Sequence, residues 1–284
     1  MRLSDGPLDV GFAGGRVIGV YLLETEEGPA LFDCGPASCV GALEDALRVR
    51  GLALTDLRHL LLSHIHLDHA GAAGVLVRRH PALRVHVSGV GAPHLVDPSR
   101  LERSARRLYG GAFDDLWGEV APVPEANVDV VGERVLGLEC LPAPGHASHH
   151  VCYVTGDGTV LAGDAAGVRI DPARFVAPPC PPPDFDLEAW ERTLDGLERA
   201  APHRLALIHF GVFDDVGRHL ADLRRRLHAW TRTVAEGASE DECGAAARAE
   251  GVAEGDDRDP YERAMPLWQS YAGLRRYVEA RAAV

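Results

Sequence analysis

Ser63-His64-Ile65-His66-Leu67-Asp68-His69 places four metal-capable side chains in six consecutive positions, His64 to His69. It follows directly on Leu57–Ser63 (LRHLLLS), a short continuous apolar run of the kind that forms a strand buried on both faces. In extended backbone alternate side chains point the same way, so His64 and His66 can grip one ion together. Once the chain turns, Asp68 and His69 can face a second ion beside the first. Imidazole mixed with carboxylate suits zinc, and also iron or manganese.

Upstream of this stretch, Arg16–Glu24 (RVIGVYLLE) and Gly28–Asp33 (GPALFD) read as strands broken by a Glu-Glu-Gly turn. Cys39–Arg50 has helical spacing and closes at Gly51. Downstream, the pattern predicts a helix over Ala70–His80, a strand over Leu83–Ser88 and helix from Pro98 to Val120. Strands are expected between Val128 and Leu141, at His150–Thr155 and at Thr159–Ala162. Pro178–Pro183 (PPCPPP) is a stiff loop, followed by a helix at Leu187–Ala200, a strand at Arg204–His209 and a helix at Asp214–Trp230. Interleaved in this order, the elements suggest two sheets sandwiched between helical layers. Residues 1–230 read as one catalytic domain and 231–284 as a helical extension packed on it. Glu236–Pro260, acidic and Gly/Ala-rich, fits a helix or a flexible arm, and Tyr261–Ala283 resumes helix.

Three further residues sit in settings that deliver side chains to one edge of such a sandwich. His146 lies in the turn Pro144-Gly145-His146, Asp164 follows a strand end at Gly163, and His209 ends the run from Leu205 to Ile208.

Composition bounds the function. The net charge of −13 argues against a nucleic-acid partner, which needs a basic face for counterion release. All 29 basic residues are arginine, so Schiff-base chemistry on lysine is excluded. The six cysteines, none in a Cys-x-x-Cys pair, are expected as reduced thiols. With no apolar leader and no run long enough to span a bilayer, the chain is expected to be cytoplasmic and away from membranes.

His-x-His-x-Asp-His, then Gly-His, Gly-Asp and a late strand-end His, resembles the metallo-β-lactamase superfamily in motif order over roughly residues 16–210. The resemblance implies an αββα sandwich of two mixed β-sheets flanked by helices, here with a C-terminal helical extension. It implies two divalent metal ions, most commonly zinc, with iron or manganese as alternatives. His64, His66 and His146 would hold the first, Asp68, His69 and His209 the second, and Asp164 would bridge them. A metal-bridging hydroxide would be the nucleophile, with Asp68 orienting it and accepting its proton. Asp33, in Phe32-Asp33-Cys34-Gly35, matches a position that steadies a ligand imidazole from behind. His149 and His150, close after His146, are candidates for the same role or for substrate contact. Tyr109, and Tyr271 on the C-terminal helix, are candidate substrate-binding residues. Tyr261, Trp268 and Tyr271 could pack on the core, cover the metal cleft or form a homodimer contact. The remaining histidines (His59, His80, His86, His94, His203, His219 and His228) read as surface or helix-end residues.

Within the superfamily, His66 departs from the oxygen-reducing flavodiiron branch, which carries Glu there. The β-lactamases usually lack an aspartate like Asp164, and the lactonases often carry a tyrosine where Ala165-Ala166-Gly167 stands. Glyoxalase II-like thioesterases keep the full ligand set but use basic C-terminal residues, a part left here to Arg275, Arg276 or Arg281. Gly-Ala-Pro-His-Leu (91–95), Ala-Arg-Arg-Leu-Tyr-Gly (105–110) and Pro-Gly-His-Ala-Ser-His-His (144–150) most resemble an uncharacterised group of bacterial and archaeal hydrolases. The expectation is hydrolysis of a small-molecule ester, thioester, lactone or phosphodiester. A mono-iron sulfur (persulfide) dioxygenase on the same fold is the alternative, and a non-catalytic metal-binding protein the third reading.

Overall fold

A computed structural model describes residues 2–3, 6–253 and 259–282. Two sheets form the centre. The first runs, edge to edge, Arg2–Leu3, Gly19–Thr25, Gly28–Phe32, His59–Leu61, Arg84–Val87 and Val128–Val130, with Leu8–Asp9 also pairing to Gly19–Thr25. Its first pairings are antiparallel and the rest, from Gly28–Phe32 onward, parallel. The second sheet runs Gly211–Phe213, Arg204–Leu207, Thr159–Leu161, Val151–Val154, Leu138–Pro142 and Arg134–Val135. Only Thr159–Leu161 and Arg204–Leu207 pair in parallel there. Both sheets are mixed, and helices cover their outer faces, as the expected αββα sandwich requires.

The strands are apolar on both faces because both faces are buried. Val151 and Tyr153 point into the core between the sheets while Cys152 points to the helical layer. Leu205 and Leu207 likewise pack outward, against Trp190, Leu220 and Leu223, while Ala206 and Ile208 pack inward. Buried hydroxyls tie the sheets together: Tyr21 donates to the carbonyls of Leu207 and Gly211 (2.7 and 2.8 Å), and Tyr153 donates to that of Leu62 (2.8 Å).

Several elements differ in extent from their sequence pattern. The helix expected at Ala70–His80 is two pieces, Leu67–Ala70 and Ala73–Arg79, and that expected from Pro98 to Val120 breaks at Gly110-Gly111 into Ser99–Tyr109 and Phe113–Trp117. Val216–Ala235 is one helix, so residue 230 falls inside it. The acidic stretch contains a helix, Glu240–Ala253, started by a reciprocal cap in which Ser239 Oγ accepts from Glu242 N and Glu242 Oε2 accepts from Ser239 N. Residues 254–258 of that stretch, and Ala283, lie outside the described residues. Asp259–Ala264 and Leu267–Ala282 follow as helices, and Leu274 and Tyr277 join the core outside the second sheet. All six cysteines are free thiols, five of them buried. Among the described residues no helix is long and apolar enough to cross a membrane.

Four of the histidines expected at the surface are instead buried: His59, His80, His86 and His219. Each finds a polar partner inside, which lets an imidazole serve as a core residue. His80 Nε2 meets the Leu57 carbonyl (2.9 Å), His219 Nε2 the Ala166 carbonyl (2.7 Å), and His59 Nδ1 faces His86 Nε2 (3.0 Å). Burial pushes His86 and His219 each down to about 4, and it holds His64 and His66 below the usual range as well. Unfolded, these groups protonate near pH 6.5. Because the folded values are depressed, the unfolded chain binds more protons below that pH, and stability is lost as pH falls from about 6.5 towards 4. Chelator-treated protein is therefore expected to lose roughly 5–10 °C in Tm between pH 6.5 and 5 at constant ionic strength. A flat melting profile by calorimetry over that window would contradict this account.

Candidate metal centre

The local conformation of 63–69 explains its spacing. The strand ends at Leu61, and His66, itself extended (φ −61°, ψ 152°), stands at the N-terminus of a short helix, Leu67–Ala70. His64 and His66, two residues apart, reach the same side, their ring nitrogens 2.9 Å from each other. After His66 the helical turn swings Asp68 and His69 to a neighbouring position, with His69 N and Ala70 N donating to the His66 carbonyl. The later ligand candidates arrive on turns that need glycine. Gly145 has φ +135°, and a Cβ there would lie 2.3 Å from Trp190 Cβ. Gly163 has φ +49°, and a Cβ there would lie 2.7 Å from both Ser63 Cβ and His150 Nε2. His209 stands in the tight turn between Arg204–Leu207 and Gly211–Phe213.

All seven side chains converge in two groups: His64, His66 and His146 in one, and Asp68, His69, Asp164 and His209 in the other, each with its donor atoms within 4.8 Å of one another. In the first, His64 Nε2 and His146 Nε2 both lie 2.9 Å from His66 Nδ1. In the second, Asp68 Oδ2 is 3.3 Å from His209 Nε2 and 3.4 Å from His69 Nε2. Asp164 spans the two. Its Oδ2 is 3.3 Å from His146 Nε2, while its Oδ1 is 3.4 Å from His69 Nε2 and 3.6 Å from His209 Nε2.

The outer nitrogens of these rings decide what the inner ones are. His146 Nδ1 donates to the Pro179 carbonyl and His209 Nδ1 to the Val17 carbonyl, both at 2.8 Å. Carbonyls only accept, so each Nδ1 carries hydrogen and, in the neutral ring, Nε2 presents a lone pair. His69 Nδ1 faces Asp33 Oδ2 at 2.8 Å in the same sense, and His64 Nδ1 faces Ser63 Oγ at 2.9 Å. Asp33 also accepts from Ser63 N and Ser63 Oγ, each at 2.7 Å, so one carboxylate organises two ligand rings. Inside the cluster, His69 Nε2 and Asp164 Oδ1 are buried without a hydrogen-bond partner. Acceptors aimed at one another with no donor between them fit a cation. Donor atoms around one zinc ion held at 2.0–2.2 Å sit about 3.3 Å apart, close to the spacings here.

Electrostatics separate the two groups. In the all-imidazole group, burial and the neighbouring rings hold His64 well below its ordinary value and take His66 down to about 4. In the other group burial also opposes charge, but Asp68, Asp164 and Asp33 outweigh it and hold His69 well above its ordinary value. Burial would drive the Asp68 carboxyl up, yet His69 and His209 keep it well below the carboxylate range.

His150 Nε2 accepts the backbone N–H of Asp164 (3.1 Å), and its ring stacks on His64 at 4.8 Å. His149 stacks on His64 at 5.9 Å, its Nε2 3.8 Å from Asp184 Oδ2. The cluster floors a cleft, which Tyr109 lines. Tyr271 does not reach it, which corrects the expectation of substrate contact there. Its hydroxyl donates to the Ala238 carbonyl (3.3 Å), and it lines a separate small pocket among the C-terminal helices. Gln269 lines the cleft instead, because two residues along a helix are about 200° apart around its axis. Sequence reading passed over Ser63, although it stands at the head of the decisive stretch, and the carbonyls of Val17 and Pro179, which carry no sequence signal.

The profile of the Metallo-beta-lactamase superfamily matches residues 13–209. Hydroxyacylglutathione hydrolase of Alkalilimnicola ehrlichii is 30% identical over 136 residues, 48% of this chain and 41% of that one. The uncharacterized protein YobT of Bacillus subtilis is 26% identical over 155 residues, 54% of this chain and 63% of its own length, so both relatives are spanned in part only. The crystal structure of ST1585 from Sulfolobus tokodaii superposes with a TM-score of 0.67 at 20% identity, covering 96% of this chain and 98% of that one. With the sandwich, the ordered ligand set and the profile in agreement, the chain belongs to the metallo-beta-lactamase superfamily.

Proposed function

We propose that this protein is a binuclear metallohydrolase that cleaves an ester, thioester, lactone or phosphodiester of a small molecule. The observation that carries the reading is Asp164, whose two oxygens turn to different groups, Oδ2 towards His146 and Oδ1 towards His69 and His209. A carboxylate so placed fits a bridge between two cations, with His64, His66 and His146 completing one site and Asp68, His69 and His209 the other. Divalent cations bound there, zinc by the donor chemistry, with iron or manganese also suited, would lower the pKa of a water towards about 7 and polarise an acyl or phosphoryl oxygen. The hydrolase relative supports the same class of reaction.

The chain's own groups have definable parts. Asp68 lines the cleft and is ionised at neutral pH, so its carboxylate can take the proton of the attacking water. The water oxygen bonds to the acyl carbon or phosphorus, and the leaving oxygen or sulfur departs with that proton. Asp33 and Ser63 keep the His69 and His64 rings in the tautomer that offers Nε2. His150 fixes the backbone from which Asp164 projects. A dioxygenase would need one iron and oxygen uptake, and it makes no use of the Asp68, His69 and His209 group.

Metal-loaded protein is expected to hold two metals per chain and to hydrolyse p-nitrophenyl esters or bis(p-nitrophenyl) phosphate, with activity lost to chelation and restored by added metal. One iron per chain with oxygen consumption on a persulfide would overturn the reading. Asp164→Ala should retain one metal at most, read by elemental analysis of folded protein; an unchanged stoichiometry contradicts the bridge. Asp33→Asn should weaken metal binding about 10–100-fold, read by chelator competition, because His69 loses the acceptor that holds its ring. Wild-type affinity in that variant would remove Asp33 from the account.

A further inference from the structure

The walls of the cleft differ in kind from its floor. On the Ser99–Tyr109 helix, Leu101, Ala105 and Leu108 fall at i, i+4 and i+7 and form one apolar stripe, between charged faces carrying Glu102, Arg103, Arg106 and Arg107. That stripe lines the cleft, and Leu108, 37% exposed, stands at its edge. Pro181 and Pro183 of the stiff loop, with Met265 from the C-terminal segment, line the same cleft. The loop is fixed: Cys180 N donates to Ser270 Oγ (3.0 Å), Ser270 Oγ donates to the Pro178 carbonyl (3.1 Å), and Gly273 packs so closely that a Cβ would lie 1.9 Å from the Cys180 carbonyl. This is a rigid apolar slot leading to the ligand cluster.

Charge narrows what enters. Among the described residues one arginine, Arg263, lines the cleft; its Nη1 donates to the Ala13 carbonyl (2.6 Å) and its Nε lies 3.1 Å from Asp259 Oδ2. Asp68 and Asp164 sit at the floor. A charged diester would lose its hydration against these apolar walls, whatever ions the floor holds. A neutral acyl group meets no such cost. Tyr109 supplies the missing polar contact. Its hydroxyl accepts from Gln269 Nε2 (2.8 Å), which leaves its own proton to donate, and its ring is held edge-on by Trp117 (5.0 Å) and Trp268 (6.3 Å). Burial, then the charge of Asp68, keeps the phenol protonated.

We propose that the cleft binds an uncharged ester or lactone through an extended, unbranched hydrocarbon chain, with the Tyr109 hydroxyl donating to its carbonyl oxygen. This rests on the hydrolase reading for turnover, but not for binding.

Two assays on the full chain separate the claims. With metal-loaded protein, kcat/KM for p-nitrophenyl acetate, butyrate and octanoate is expected to rise about two- to fourfold per added methylene, with bis(p-nitrophenyl) phosphate the poorest substrate. Leu108→Arg, at an exposed position, should reduce the octanoate-to-acetate ratio at least tenfold, and Ala105→Phe should do the same by filling the slot. With metal-loaded protein, tryptophan fluorescence should report octanamide binding at least tenfold tighter than butanamide, an advantage lost in Leu108→Arg. Hydrolysis without chain-length dependence, or with preference for the phosphodiester, overturns this proposal and leaves the hydrolase reading intact. Chain-length-dependent amide binding without turnover of any probe upholds it while the hydrolase reading falls. Equal binding of the two amides overturns it.

Discussion

Five imidazoles and two carboxylates converge on one small volume, and the outer nitrogens of His146, His209 and His69 are tied to acceptors, which turns each Nε2 inward. In a folded interior such an arrangement is unfavourable unless positive charge fills it, because buried acceptors facing each other repel and lose the water they had when unfolded. The surroundings are arranged to keep it so. Val17 and Pro179 offer carbonyls, and Asp33 a carboxylate, to the outer ring nitrogens, and so hold the inner ones as acceptors. The cluster is suited to cations by its hydrogen-bond directions, and metal bound there would contribute to the protein's stability as well as its chemistry.

The sandwich exists, from this viewpoint, to hold those directions. Strands buried on both faces cannot slip register without exposing a whole apolar face, so the ends of Gly28–Phe32, His59–Leu61, Thr159–Leu161 and Arg204–Leu207 are fixed relative to one another. The ligands stand just beyond such ends or on the Gly145 turn. Gly145 and Gly163 let backbone from the second sheet approach Trp190 and Ser63 closely enough for His146 and Asp164 to reach across. Helices after residue 235 then finish the cleft. Gln269 braces Tyr109, and Ser270 and Gly273 pin the proline loop whose Pro179 carbonyl holds His146. One segment thus shapes the substrate wall and steadies a ligand.

Much of this was legible beforehand because the signals were local. The step from histidines two residues apart to a turn within His64–His69 is visible in the residue spacing, and so are the doubly buried strands. What escaped was set by tertiary context. His86 and His219 look like ordinary polar residues until the fold supplies the polar partners that let neutral imidazole be buried. Tyr271 and Gln269 differ only in helical phase, which sequence leaves open until the packing face is known. Backbone carbonyls that orient ligands have no residue type to announce them. The Ser239–Glu242 cap of the acidic helix was readable as Ser-x-x-Glu, and it is what turns a weak apolar pattern into structure.

The central claim is that one carboxylate joins two cations. X-ray absorption on the fully metal-loaded protein tests it most directly, since scattering between metals reports their separation whatever the substrate. The account requires a metal–metal vector at about 3.5–4 Å, as in two-metal sites that share a bridge. Nitrogen and oxygen shells with no metal neighbour in saturated protein would contradict it.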